Sequence, residues 1–384
     1  MKVYLDNNAT TRIAPEVLDA MLPFLTEKFG NPSSFHSFGS DLMEEIEAAR
    51  EKVAALLGAH AGEIVFTSGG TESDNMALTC SASINPLKPG LVTSTIEHPA
   101  VLETAECIRS RGHPVGLSEV NHDGTLNMDS FISLITEQTG LVSIMMANNE
   151  TGVIMPVEET ARIAHERGAL FHTDAVQAAG KIPIDVRSSG IDMLSISAHK
   201  LHGPKGAGAL FIREGIDLPP FMLGGHQENG LRAGTYNTAG IIGLGVAASL
   251  AAEHLLEEKG RTGLLLGRLE AGILEKCPGA IIVSAGARRL PNTATVLFRG
   301  VESEAVMTLL DIEGICVSSG SACSTGEETS SYVLAAMGIG ADDANTALRF
   351  SLSRYTTGRE IDCVLEVLPP IINKLRKISP YANR

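Results

Sequence analysis

Short β-branched runs that stay apolar on both faces recur between helical stretches from residue 15 to about 255, and this alternation constrains the fold most. The runs are EIVFTS (63–68), LVTSTI (91–96), LVSIMMAN (141–148), ALFHTD (169–174), DMLSIS (192–197) and GALFIR (208–213). A strand wet on one face alternates polar and apolar residues. A strand apolar throughout must be covered on both faces, as in the interior of a parallel sheet. Helical spacing over 15–29, 40–57, 99–111 and 157–167 supplies the covers, so the pattern predicts a doubly wound α/β domain with a mainly parallel sheet. Beyond an Ala/Leu-rich helix expected over 238–259 the order changes. Strands over 280–284, 293–299 and 347–353 mix with helices near 303–311, 329–337 and 358–375. The expected division is a large domain over 15–257 and a smaller α+β domain built from 1–14 and 258–384.

An apolar content of 44% in 384 residues excludes disorder as the main state. A formal charge of -15 excludes a dedicated nucleic-acid binder, which needs a basic face. No run of 18 consecutive apolar residues occurs and the first residues lack the apolar core of a secretory signal, so a cytoplasmic protein with no membrane span is expected. The six cysteines form no CxxC pair and no metal-ligand spacing, so reduced thiols and no metal are expected. The 39 glycines exceed the usual share of about 7%, as tight turns and close backbone approach to a ligand would require.

Three stretches carry chemistry. In SISAHKLHGPKG (195–206) an apolar strand runs directly into His199 and Lys200, then into a Gly/Pro turn, at the sheet edge where open α/β folds place ligands. A surface loop lysine is the plainer alternative. In FTSGGTESDNMAL (66–78) a strand enters Ser-Gly-Gly-Thr and then a helix. The amides of such a start form an anion site that Gly70 lets a phosphate approach, and Thr71 adds a hydroxyl. The Walker lysine and the dinucleotide glycine spacing are absent. In ALFHTDAVQAAG (169–180) Asp174 ends an apolar strand, with Gln177 three residues on. Asp174 is either a helix cap or the partner of a cation. An amine for a Schiff base, a carboxylate to hold a pyridine nitrogen charged and a cradle for a phosphate together point to pyridoxal phosphate.

With these motifs in hand, the chain resembles a known family across nearly its whole length. YLDNNATT (4–11), GNPSSFHSFG (30–39), TSGGTESDN (67–75), EHPAV (97–101), NNETG (148–152), HTDAVQAAG (172–180), SAHKLHGPKG (197–206), LRAGT (231–235), SSGSAC (318–323) and LRFSLSRYTT (348–357) stand in the order found in cysteine desulfurases of the nitrogen-fixation and iron–sulfur-cluster type. These belong to the class V aminotransferases, of the fold type I pyridoxal-phosphate enzymes. The resemblance implies that Lys200 bonds the cofactor, Asp174 pairs with its ring nitrogen and His98 stacks on its face. Asn149 and Gln177 would hydrogen-bond its ring oxygen and the substrate region. Gly70, Thr71, Ser197 and His199 would hold its phosphate, with Thr235 reaching in from a second subunit of a homodimer. Arg349 would bind the carboxylate of L-cysteine; on its residues alone it reads as a strand-end ion pair.

Cys323 lies in VSSGSACSTGEETSSYV (317–333), a stretch too poor in apolar residues to bury a thiol, and a mobile loop is expected there. The resemblance makes Cys323 the nucleophile that takes the sulfur as a persulfide for an iron–sulfur scaffold or another acceptor. Cys80, Cys107 and Cys363 read as buried helix residues and Cys316 as strand core. Two departures from the family pattern are Asn229, where relatives often carry Arg, and TGEETSS (325–331) after the cysteine. A selenocysteine lyase, an aminotransferase that needs no thiol and an inactive sulfur carrier are the competing readings.

Overall fold

A computed structural model describes residues 1–319 and 330–379. Strand β1 (Val3–Tyr4) opens the chain. Strands β2 (Ile64–Thr67), β3 (Gly90–Ser94), β4 (Val115–Ser118), β5 (Thr139–Ser143), β6 (Leu170–Asp174), β7 (Met193–Ser197) and β8 (Gly208–Ile212) form one sheet in the order β2-β8-β7-β6-β5-β3-β4. The strands from β7 to β4 pair in parallel, and β8 lies antiparallel to both β7 and β2. The mainly parallel sheet matches the sequence expectation. The reversal at β8 follows from the tight return after β7, closed by Ala198 N donating to Ala207 O at 3.0 Å.

The apolar runs are apolar on both faces because each strand feeds two cores. Phe66, Val142, Leu194 and Phe211 belong to one buried cluster, with Ile46, Val53, Leu57 and Leu244 from covering helices. Their neighbours Val65, Leu141, Met193 and Leu210 belong to the opposite cluster, with Met76, Leu78, Val101 and Ile108. Burial of each large side chain contributes about 1.5–3 kcal/mol, so register is strongly fixed.

The helix expected over 238–259 continues to 276 as Thr238–Lys276. Gly260 and Gly267 suggest a break, but a Cβ at either would meet no neighbour, so they occupy open positions. The cost of about 1 kcal/mol per glycine is offset by Leu266, Leu269 and Ile273, which are buried. This helix is long and apolar enough to cross a membrane. Its Ile241, Leu244, Ala247 and Ala248 are instead buried in the core. Gly245 lets it approach the helix Ser37–Leu57, since a Cβ there would lie 2.7 Å from the Cα of Ala49.

Strands β9 (Ala280–Ile282), β10 (Thr293–Phe298), β12 (Ser318–Ser319) and β13 (Ala347–Ser351) form an antiparallel sheet in the order β12-β13-β10-β9, while β11 (Ile315–Cys316) pairs in parallel with β1. Val3 and Leu5 are buried with Leu269, Val296, Phe298, Phe350 and Leu368, so the first residues pack with the last hundred. The boundary expected at 257/258 falls inside the continuous helix Thr238–Lys276. Three thiol expectations need correction. Cys107 is exposed on the outer side of the helix Pro99–Ser110, and Cys316 is only half-buried, its Sγ 3.8 Å from Asp311 Oδ1. Cys80 is buried as expected, and Cys363 is half-buried.

Candidate active site

The carboxyl ends of β2, β3, β5, β6 and β7 share one edge of the sheet, and the expected groups follow these ends. Asp174 is the last residue of β6, and Lys200 ends a single turn, Ala198–Lys200, directly after β7. Asp174 pairs in register with Ser195, so the two chemical groups come from adjacent strands. His98 caps the helix Pro99–Ser110, its Nδ1 accepting from Ala100 N at 3.1 Å. That bond fixes the ring and makes Nδ1 the acceptor nitrogen. Gly70 and Thr71 begin the helix Gly70–Ile84, which no side chain caps. Asn149 stands in a turn held by Asn148 Oδ1, which accepts from Glu150 N and Thr151 N at 2.9 Å.

The N-terminal segment joins these groups. Lys200 Nζ donates to Ala9 O at 2.8 Å and also to Asn8 O, which accepts from Gln177 Nε2 at 3.0 Å. Asn8 Nδ2 donates to Asn149 O at 3.0 Å and to Thr293 Oγ1 at 2.9 Å. Arg349 Nη1 donates to the same Asn149 carbonyl at 3.1 Å, and Nη2 pairs with Asp6 Oδ1 at 2.8 Å. The strand-end ion pair is therefore present, beside the site. Sequence reasoning gave Asp6 and Asn8 no role. The available signal was a pair of adjacent asparagines directly after a strand in YLDNNATT.

Burial dominates the electrostatics. Asp174 is 6% exposed; burial raises its carboxyl, against the opposing charges of His98 and Lys200 and a 2.8 Å bond from Val176 N. His98 is lowered, first by burial and then by the Lys200 charge, which favours the neutral imidazole. Beneath them His172 bridges Ser143 Oγ at 2.9 Å and Ser195 Oγ at 3.0 Å and is pushed down to about 3 by burial. Asp74 is raised well above the ordinary carboxylate range by burial and by Asp174. A carboxyl held above its ordinary range and a neutral imidazole thus neighbour Asp174. Asp74 was not singled out from sequence, although an Asp among Met76, Ala77 and Leu78 on a buried helix face was a readable anomaly.

Glu97, next to His98, is pushed up to about 8 by burial, against bonds from Ser94 Oγ at 2.6 Å and Met145 N at 3.0 Å. Its folded-state value lies above that of an unfolded glutamate, so its contribution to stability is complete below about pH 4.3 and is lost as pH rises through about 8. Glu97→Gln mimics the protonated side chain. Thermal unfolding from pH 6 to 9 is expected to show wild type losing up to about 1.4 kcal/mol per pH unit more than the variant. Parallel curves would refute the assignment.

The polar groups present fit pyridoxal phosphate. Asn149 Oδ1 and Arg349 Nε are buried with no hydrogen-bond partner among the described residues. A buried carboxylate such as Asp174 needs a cation to remain charged, which a ring nitrogen would supply. A Cβ at Gly70 would lie 2.5 Å from Val176 Cγ2, so only glycine fits at that helix start. Ser197 is buried, Thr71 is exposed, and His199 Nδ1 lies 3.1 Å from Thr10 Oγ1. His199 is lowered to about 4 by burial and then by Lys200 and Lys205. Thr235 is exposed, on a segment anchored by Glu228. The Glu228 carboxylate takes a two-pronged bond from Arg50 at 2.7 and 2.9 Å and one from Phe66 N at 2.8 Å. Asn229 has φ +55°, a left-handed conformation that Asn adopts more readily than Arg, which accounts locally for that departure.

Cys323 lies outside the described residues. Both flanks of 320–329 reach the site. Ser318 pairs in register with Arg349, and Tyr332 Oη donates to the carbonyl of Glu97 at 2.6 Å. Ser331 Oγ bonds the carboxylate of Glu150, beside Asn149.

This arrangement defines a class V aminotransferase: the model of that family, "Aminotransferase class-V", matches residues 3–364, and the chain belongs to it. Within the family its full-length relatives are cysteine desulfurases. It is 50% identical over 380 residues to "Cysteine desulfurase NifS" of Azotobacter vinelandii, spanning 99% of this chain and 94% of that protein. It is 52% identical over 382 residues to "Cysteine desulfurase" of Cereibacter sphaeroides, spanning 99% and 98%. A solved "NIFS-LIKE PROTEIN" superposes with TM-score 0.92 at 40% identity, covering 97% of this chain and 100% of that one. "SspA in complex with cysteine" superposes with TM-score 0.82 at 35% identity, covering 93% and 100%.

Proposed function

We propose that the protein converts L-cysteine to L-alanine with pyridoxal phosphate and leaves the sulfur as a persulfide on Cys323. The observation that carries the reading is the placement of Lys200 and Asp174 at the ends of adjacent parallel strands, beside the helix start at Gly70. Bound there, the cofactor supplies an electron sink for the substrate's α-carbon.

Lys200, Asp174, His98, Asn149, Gln177, Gly70, Thr71, Ser197 and His199 form the proposed cofactor site. Asp174 supplies the negative charge, and the amides at Gly70 and Thr71 supply the anion cradle. Arg349 takes the substrate carboxylate, sharing its guanidinium with Asp6. Lys200 Nζ, held on the carbonyls of Asn8 and Ala9, takes the α-proton. The Cys323 thiolate then forms a bond to the substrate sulfur and the substrate's C–S bond breaks. The electron pair of the broken bond stays on carbon, which takes up a proton to become the methyl of alanine.

Two copies sharing their sites are proposed, with Thr235 as the crossing residue. Exposed Phe35 and Leu223, and the exposed Phe29–Phe38 ring pair at 5.3 Å, are apolar surface that a second copy would cover. The proposed setting is cytoplasmic sulfur delivery to an iron–sulfur scaffold or another acceptor.

The purified protein is expected to absorb at about 400 nm, and borohydride to fix that chromophore on Lys200. L-cysteine should give alanine and, with a thiol reductant, sulfide in equal amounts. A colourless protein, or trapping on another lysine, would sink the reading.

A further inference from the structure

Four residues beyond Gln177 the chain turns back on it. Gly180, at φ +70°, makes that turn, and a Cβ there would meet Leu201 Cδ2 at 2.7 Å and Ala251 Cβ at 3.0 Å. The turn brings Lys181 Nζ to 2.9 Å from Gln177 Oε1, while Gln177 Nε2 donates to Asn8 O at 3.0 Å. An ammonium only donates and a carbonyl only accepts, so both ends of the amide are read without ambiguity. One N–H of Nε2 is spent on Asn8, and the other remains for the site.

We propose that Lys181 is a positioning residue that locks the Gln177 amide so that it offers an N–H, rather than its oxygen, to the cofactor's ring oxygen. This rests on the desulfurase reading given above. The groups whose charges bear on Lys181 are Lys200 and Arg349, which with burial, the largest cause, push its amine down to about 7. His199 and His202 feel the Lys181 charge in turn. Glu258, Lys259 and Arg354 line the same water-sized cavity. Either form of the amine donates an N–H to Gln177 Oε1.

An N–H donated to the ring oxygen draws off negative charge, so losing it leaves the neighbouring proton more tightly held. The test is the pH midpoint of the bound cofactor's absorbance band near 400 nm, measured on holoenzyme. Lys181→Met is expected to raise that midpoint by about one pH unit, a tenfold shift, as loss of one hydrogen bond would. Lys181→Arg, which keeps the donor, should stay near the wild-type midpoint. In a Gln177→Leu background, Lys181→Met should add almost nothing, because the route through the amide is already gone. An unchanged midpoint in Lys181→Met would overturn the inference. A shift of equal size in the Gln177→Leu background would also overturn it, since the lysine would then act by charge alone. An equally large shift in Lys181→Arg would do the same. A wild type with no band would sink the desulfurase reading itself.

Discussion

Cys323→Ala is expected to abolish alanine and sulfide formation from L-cysteine, by at least about 10³-fold, while leaving the absorbance of the bound cofactor unchanged. The pairing of those outcomes is the point. The proposed cofactor groups lie on β6, at the end of β7 and at the helix start at Gly70, whereas residue 323 follows β12 in the chain, so the variant leaves each of those side chains in place. An aminotransferase would turn over undiminished in Cys323→Ala, because its chemistry needs no thiol. The flanks give a geometric reason to expect the large effect. Ser318 stands opposite Arg349 in the sheet, and Tyr332 is tied to the residue before His98. Trapping with a thiol-directed alkylator after a single turnover should place the extra sulfur on Cys323 and leave exposed Cys107 unmodified by sulfur. Sulfur found on Cys107 or Cys316 would refute the assignment.

The fold was legible where burial made the pattern. Runs such as EIVFTS, ALFHTD and DMLSIS are apolar on both faces because each feeds two cores, and the structure places a strand within each. β4 was not legible: Val115–Ser118 is half-buried, contains Gly116 and lies at the sheet edge, so neither composition nor period marks it. The antiparallel direction of β8 was hidden for another reason, because direction depends on the turn before a strand rather than on the strand's own residues. Cys107 shows the limit of local context: Ala105 and Ile108 beside it are buried, yet a helix turns residue 107 to water.

The site divides along the same line. Lys200, Asp174 and Gly70 were readable because a charged or achiral residue at the end of an apolar strand is costly without a purpose. Asp6 and Asn8 were not, because their contacts span hundreds of residues, and Lys181 meets Gln177 only through the turn at Gly180. Asn8 reaches Thr293, and Asp6 reaches Arg349 across 343 positions. No period or spacing in the sequence encodes such a meeting; it follows only once β1 has paired with β11 and the residues after β1 lie against β10 and β13 of the smaller sheet.

Lys200→Ala should be the second large loss, and it should differ in kind from that of Cys323→Ala. On the proposed reading, removing the amine deletes the covalent anchor of the cofactor and the group that moves the α-proton. Loss of a general base alone typically costs 10²–10⁴-fold, so turnover should fall by at least about 10³-fold. The cofactor should still bind, held by the Gly70 helix start and by Asp174, but borohydride should no longer fix it to the protein. The carbonyls of Asn8 and Ala9, which accept from Lys200 Nζ in the wild type, would be left facing the vacated space. A small primary amine can therefore occupy that position, donate to the same two carbonyls and carry the α-proton. Methylamine or ethylamine should restore turnover in proportion to its concentration, recovering a measurable fraction of the loss. The same amines should do nothing for Cys323→Ala, because that variant lacks a sulfur acceptor rather than a base. Rescue of Cys323→Ala by amine, or undiminished borohydride fixation in Lys200→Ala, would show that the two residues have been assigned the wrong roles.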